Sequence, residues 1–127
     1  MKIWNLTQHA ATPEQVAAGV VDLPNEARKK LIDLLTFDDL PSAARVWDAA
    51  DGIANLFADF AELRATDSDL GMIGGAPFLM EPLSRAILRH SFGVVYAFSR
   101  RESVEEIAAD GSVKKTSVFR HAGFVGL

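Results

Sequence analysis

Three short segments carry side chains whose types and spacing suit the handling of a phosphate or a nucleobase. The first is Asn5-Leu6-Thr7-Gln8-His9. Its amides, hydroxyl and imidazole both donate and accept hydrogen bonds, so they can read a base edge or a ribose. The second is Gly74-Gly75-Ala76, directly ahead of a helical pattern. Glycine lets backbone approach an anion closely, and a helix N-terminus supplies free N–H groups and partial positive charge. The third is Ser99-Arg100-Arg101-Glu102-Ser103, after the most hydrophobic stretch of the chain. A guanidinium there can grip phosphate oxygens in a bidentate fashion. His121, two residues beyond Phe119, can face the same side. If the chain is an enzyme, metal-free phosphodiester cleavage fits this set best. In that chemistry a ribose 2′-hydroxyl attacks, and the protein orients it and neutralises phosphate charge.

Each segment also has a plainer reading. The first can be a polar turn capping the next helix, the glycine pair can be tight strand-to-helix packing, and the arginines can pair with Glu102 or Glu105. Other chemistries are excluded more firmly. The chain has no Cys, so thiol nucleophiles, disulfides and thiolate metal sites are absent. No Lys-Ser/Thr pair follows the glycines, and no three-glycine dinucleotide fingerprint occurs. There is no nucleophile elbow and no clustered carboxylate set, so neither a metal nor a cofactor is expected.

The elements that must position these residues follow from patterning. Ile3–Leu6 reads as a first strand. Thr12-Pro13-Glu14-Gln15 opens a short helix with a capping box, and Gly19 ends it. Val20–Leu23 is a second strand stopped by Pro24. Ala27, Leu31, Leu34 and Leu35 keep helical spacing. Ser42 caps a longer amphipathic helix with Val46, Ala49, Ala50, Ile53, Phe57 and Phe60 on one face. Thr66–Asp69 reads as a loop and Leu70–Ile73 as a buried strand. A helix follows with Pro82 in its first turn; a start at Pro77 would put Pro82 inside it. Gly93–Phe98 is apolar throughout, which predicts a strand buried on both faces. Glu102–Ile107 and Val113–Phe119 alternate around Asp110-Gly111, a hairpin signal.

Strands alternating with helices predict a Rossmann-like α/β domain spanning residues 1–127. It has a mainly parallel sheet, helices on both faces and a C-terminal β-hairpin. Ligands of such sheets bind beyond the C-terminal strand ends, which selects the three segments above. The chain has 127 residues and a formal charge of −4, which disfavours duplex nucleic acid. Residues 99–127 nonetheless carry five basic and four acidic side chains, so an anion can be drawn to that third. No apolar run is long enough to span a membrane, and the first residues do not form a secretion signal. A cytoplasmic location is therefore expected.

Asn5–His9, Thr12–Gln15, Met72–Pro77, Tyr96–Ser103 with Glu105, Asp110–Val113 and Phe119-Arg120-His121 with Phe124 occur in an order spanning nearly the whole chain. In that order they resemble the small stand-alone CRISPR-associated proteins built on a CARF-type domain, the ring-nuclease-like group, which also occur in phage and prophage settings. The resemblance implies a homodimer that binds, and in some members cleaves, a cyclic oligoadenylate in antiviral defence or its counter-defence. It implies catalytic roles for His9, Ser99 and Arg100. It implies ligand contacts from Asn5, Thr7, Gln8, Gly74, Gly75, Ala76, Arg101, Glu105 and His121. The segment Ala122–Leu127 and the helix after Gly75 are candidate dimer contacts. Two further readings stay open: a sponge or sensor without turnover, and a protein-interaction module with no nucleotide affinity.

Overall fold

The computed structural model describes residues 1–126, so Leu127 of the apolar C-terminal segment lies outside the described residues. The elements are β1 (Ile3–Asn5), α1 (Pro13–Ala17), β2 (Val20–Asp22), α2 (Asn25–Leu35), α3 (Ala43–Phe60), β3 (Leu70–Met72), α4 (Pro77–Arg89), β4 (Gly93–Ile107) and β5 (Val113–Gly126). They form one five-stranded sheet in the order β2-β1-β3-β4-β5. β2, β1, β3 and β4 run parallel, and β5 pairs antiparallel with β4. The domain is α/β and Rossmann-like.

Side chains alternate across β1, so Trp4 and Leu6 enter one core and Ile3 the other. The larger core lies under α2, α3 and α4. Ser42 accepts from the Arg45 N–H at 3.1 Å and starts α3. Ala49, Ala50, Ile53, Ala54 and Phe57 then face inward, fully or almost fully buried. Phe57 meets Phe92 edge-on at 4.9 Å, and Leu79, Leu83 and Ile87 of α4 close the layer. Gly71 permits this packing. A Cβ there would sit 2.9 Å from Leu6 Cδ1 and 3.7 Å from the Phe57 ring. The opposite face buries Ile3, Val20, Met72 and Val95, with Ala11 and Phe124 packed against them. The five-residue α1 lies on β2 and reaches β5. Its capping box is complete: Thr12 Oγ1 accepts from Gln15 N–H at 3.2 Å, and Gln15 Oε1 accepts from Thr12 N–H at 3.1 Å.

Three expectations change. Gly93–Phe98 is not buried on both faces. Val95 is buried, but Ala97 and Phe98 are exposed. β3 is only three residues long and its pairing with β4 ends at Met72↔Val95, so the covered part of the sheet ends there. Ser99–Ser103 is not a loop either. β4 continues to Ile107 and β5 returns beside it, making a long two-stranded arm with a bulge at Phe98/Ser99. Finally, α4 starts at Pro77 and runs through Pro82, which is buried inside it. Pro82 has no N–H to offer the Phe78 carbonyl one turn back.

The N-terminal end of the sheet holds a buried carboxylate. Asp69 is 1% exposed. It accepts from Lys2 N–H (2.9 Å), Trp4 Nε1 (3.0 Å), Glu62 N–H (3.0 Å) and Arg64 Nη1 (3.0 Å). Burial alone would raise its pKa. The backbone N–H of Lys2, the Trp4 indole, the Glu62 N–H and Arg64 outweigh burial and hold the carboxyl well below the usual carboxylate range. Its sequence context is that of a loop, yet in the fold it joins the starts of β1 and β3 to the end of α3. Among the described residues no helix is long and apolar enough to cross a membrane.

Candidate functional site

The chain steps outward from β1 to β2, then crosses back to β3 on the far side of β1. Strand order therefore reverses between β1 and β3, the place where open parallel sheets bind ligands. Two of the three predicted segments meet here. A Cβ on Gly74 would lie 3.6 Å from Thr7 Cγ2, so the loop after β1 and the turn after β3 touch.

The loop after β1 is built around Asn5, which is 0% exposed. Its amide nitrogen donates to the His9 carbonyl (2.8 Å) and to Asp22 Oδ1 (2.7 Å). Its oxygen accepts from Thr7 N–H (2.9 Å) and Thr7 Oγ1 (2.6 Å). Both donors and both acceptor sites of the amide are used. Asn5 thus shapes the loop and has no group left for a ligand. Thr7 spends its hydroxyl proton on Asn5. Asp22, opposite Asn5 in β2, also accepts from Ala11 N–H at 3.1 Å and holds the return of the loop. Arg28 of α2 completes the frame. Its Nη2 donates to the Gln8 carbonyl at 3.2 Å, and its Nη1 lies 3.9 Å from Asp22 Oδ1, an ion pair beyond hydrogen-bonding distance. These contacts leave the Gln8 and His9 side chains exposed.

The turn after β3 reaches α4 through Gly75, whose φ is +129°. An L side chain is strained at that angle, so glycine is required by backbone geometry. Ala76 is the N-cap of α4, and no side chain caps that end. A cleft of about 400 Å³ opens here. Gln8, Thr36, Phe37, Asp39, Ala76 and Phe78 are among its walls. Phe78 is 49% exposed and stands edge-on to Phe37 at 5.1 Å. Arg45 lies 4.6 Å above the Phe37 ring and donates to the Thr36 carbonyl. Gln8 Nε2 is 3.4 Å from Thr36 Oγ1. The cleft offers an amide, a hydroxyl, a carboxylate, an aromatic surface and a helix N-terminus.

Of the predicted residues, Gln8 and Ala76 line the cleft. Asn5, Thr7 and Gly74 frame it, and His9 and Gly75 lie exposed on the same two loops. The third segment is elsewhere. Ser99, Arg100, Arg101 and Glu105 lie on the arm, where they face His121, Arg120, Phe119 and Lys115 of β5. Arg100 is five residues beyond Val95, roughly 17 Å along an extended strand. The His121 ring packs on Phe124 at 4.8 Å, and the His121 backbone N–H donates to Glu14 Oε2 at 3.0 Å. Thr36, Phe37, Asp39 and Phe78 were not singled out from sequence. Their nearest signal was a polar, aromatic and proline-bearing connector between two helices, Thr36–Pro41.

No curated protein and no solved structure matches the chain. A family model matches residues 1–125, almost its full length, and by that match the chain belongs to the Uncharacterized protein MJ1673 family.

Proposed function

We propose that the protein binds a cyclic oligonucleotide of the oligoadenylate type at the β1/β3 cleft, as a component of nucleotide-signalled antiviral defence or its counter-defence. The observation that carries this reading is the convergence of base-reading and phosphate-accepting groups at the point of strand-order reversal. Phe78 offers a stacking surface worth about 1–3 kcal/mol per base. The Gln8 amide can make two hydrogen bonds to an adenine edge, and the Asp39 carboxylate can accept from an exocyclic amine. The N-terminus of α4, reached through Gly75, has no side-chain cap; Pro77 lacks an N–H and the Leu79 N–H bonds to the Ala76 carbonyl, so the Phe78 N–H is the first-turn donor left to meet a phosphate.

Turnover is a second reading, favoured by the exposed His9 imidazole on the Gln8 loop. In that step a ribose 2′-oxygen attacks the adjacent phosphorus and the P–O5′ bond breaks. A 2′,3′-cyclic phosphate remains, and the 5′-oxygen takes the proton. Ser99 and Arg100 lie on the arm and do not line the cleft, so this reading assigns the step to the His9 loop.

A panel of cyclic di-, tri-, tetra- and hexanucleotides, followed by calorimetry and chromatography, tests both readings. Binding of a cyclic oligoadenylate, weakened in Phe78→Ala and Gln8→Ala, supports the site. A linear product that His9→Ala abolishes supports turnover. No affinity for any member overturns the proposal.

A further inference from the structure

The arm presents an unfinished sheet. β3 stops pairing with β4 at Val95, while β4 runs on to Ile107. Among the described residues, no strand covers that edge of β4 beyond this point. On the arm β4 has β5 as its partner, and most of its side chains are exposed. A hairpin standing alone in water is marginally stable, and three or more strands are needed for independent stability. An open edge is also a template for another strand.

The sequence of this edge is complementary to itself. Around Ser103 the strand reads Arg100-Arg101-Glu102-Ser103-Val104-Glu105-Glu106. If two copies pair antiparallel with Ser103 opposite Ser103, Arg101 falls opposite Glu105 of the second copy and Arg100 opposite Glu106. The two-fold axis repeats both pairs, giving four cross-strand ion pairs and no like-charge pair. Directly opposite charges on one face attract, and like charges repel. The other edge of the arm lacks this property. β5 carries Lys114, Lys115 and Arg120 and no acidic side chain between Val113 and Gly126, so β5 against β5 would oppose cations.

The geometry points to a homodimer formed by the free β4 edge, two arms joining into a four-stranded sheet with strand order β5-β4-β4-β5 across a two-fold axis at Ser103. Such an interface is isologous, the same surface on both copies, which is the commonest symmetric arrangement. It places the dimer contact on the arm, apart from both the C-terminal segment and α4, and it stands independently of what the cleft binds.

Charge reversal tests the register. Light scattering of the wild type should give twice the chain mass of 13.8 kDa. Arg100→Glu/Arg101→Glu and Glu105→Arg/Glu106→Arg should each be monomeric, because each opposes four like pairs. An equimolar mixture of the two should regain the double mass, since their edges complement one another. A covalent test is independent of charge. The chain has no Cys, so Ser103→Cys carries a single thiol. Directly paired antiparallel residues lie about 4.5–5.5 Å apart at Cα, within disulfide reach. Mild oxidation should give a covalent dimer. Ser117→Cys, one strand outward on each copy and roughly 14 Å apart, should not. A monomeric wild type, dimeric charge-reversed variants on their own, or cross-linking of Ser117→Cys but not Ser103→Cys would overturn the assignment.

Discussion

Replacing Asp69 by Asn keeps the shape of the side chain and removes its charge. In the native chain each carboxylate oxygen accepts two hydrogen bonds: Oδ1 from Lys2 N–H and Arg64, Oδ2 from Trp4 Nε1 and Glu62 N–H. An Asn can keep one oxygen in place. Its NH2 group must then face two donors, which lose their acceptor inside the protein. Each buried donor left unsatisfied costs about 1–3 kcal/mol, so Asp69→Asn should cost about 2–6 kcal/mol. That is a large fraction of the roughly 5–15 kcal/mol expected for a whole domain. At about 3–4 °C per kcal/mol for a chain of this size, the melting temperature at pH 7 should fall by about 6–24 °C. The pH dependence has a definite sign. The folded carboxyl titrates below its unfolded value, so its stabilisation is fully present above the unfolded pKa of about 4. It is lost as pH falls through the folded value. Scanning calorimetry of both proteins from pH 7 to pH 2 should show a constant gap above about pH 5 that narrows on acidification. Equal melting temperatures at pH 7, or a gap that widens in acid, would refute the assignment of Asp69 as a charged acceptor hub.

Asn5→Asp turns the donor facing the His9 carbonyl and Asp22 into an acceptor, so it should cost about 2–4 kcal/mol by denaturant titration. Gly75→Ala should destabilise by about 1–2 kcal/mol because φ is +129°, whereas Gly74→Ala, with only an ordinary 3.6 Å contact to Thr7, should melt near wild type. Gly71→Val should lower the melting temperature by at least several degrees, since its Cβ alone would press to 2.9 Å on Leu6. Phe78→Ala removes a half-exposed ring, so it should leave stability within about 1 kcal/mol while weakening nucleotide binding roughly tenfold or more by calorimetry.

Local signals were legible where the chain writes its own boundary. Thr12, Pro13 and Gln15 close the capping box, Ser42 caps α3, and Asp110-Gly111 turns the hairpin with Gly111 at φ +84°. The alternation of strands and helices was enough for the parallel sheet. The arm was not legible, because an apolar run followed by Ser-Arg-Arg looks like a buried strand ending in a loop. What decides the matter is the length of β3, a neighbour distant in sequence. Asp69 was opaque for a similar reason. Its four donors come from residues 2, 4, 62 and 64, and no local pattern announces that they converge. One wall of the candidate site followed from topology alone, since Gln8 and Ala76 lie in the loops just past the ends of β1 and β3. The other wall comes from the connector between α2 and α3, whose place over those loops is a matter of packing. Asn5 illustrates the limit most plainly. Its residue type suits a ligand, and only the geometry shows that every polar atom of its amide is already engaged.

Nucleotide binding at the β1/β3 cleft is tested most directly by calorimetric titration of the wild type and Gln8→Ala/Phe78→Ala with cyclic oligoadenylates of different ring size, in low salt. Saturable binding of one ring by the wild type is expected. The double variant should remain folded by circular dichroism and lose about a hundredfold or more in affinity. Undiminished binding by the double variant would place the ligand elsewhere on the molecule, and no heat with any ring would contradict the assignment of a nucleotide site to the β1/β3 cleft.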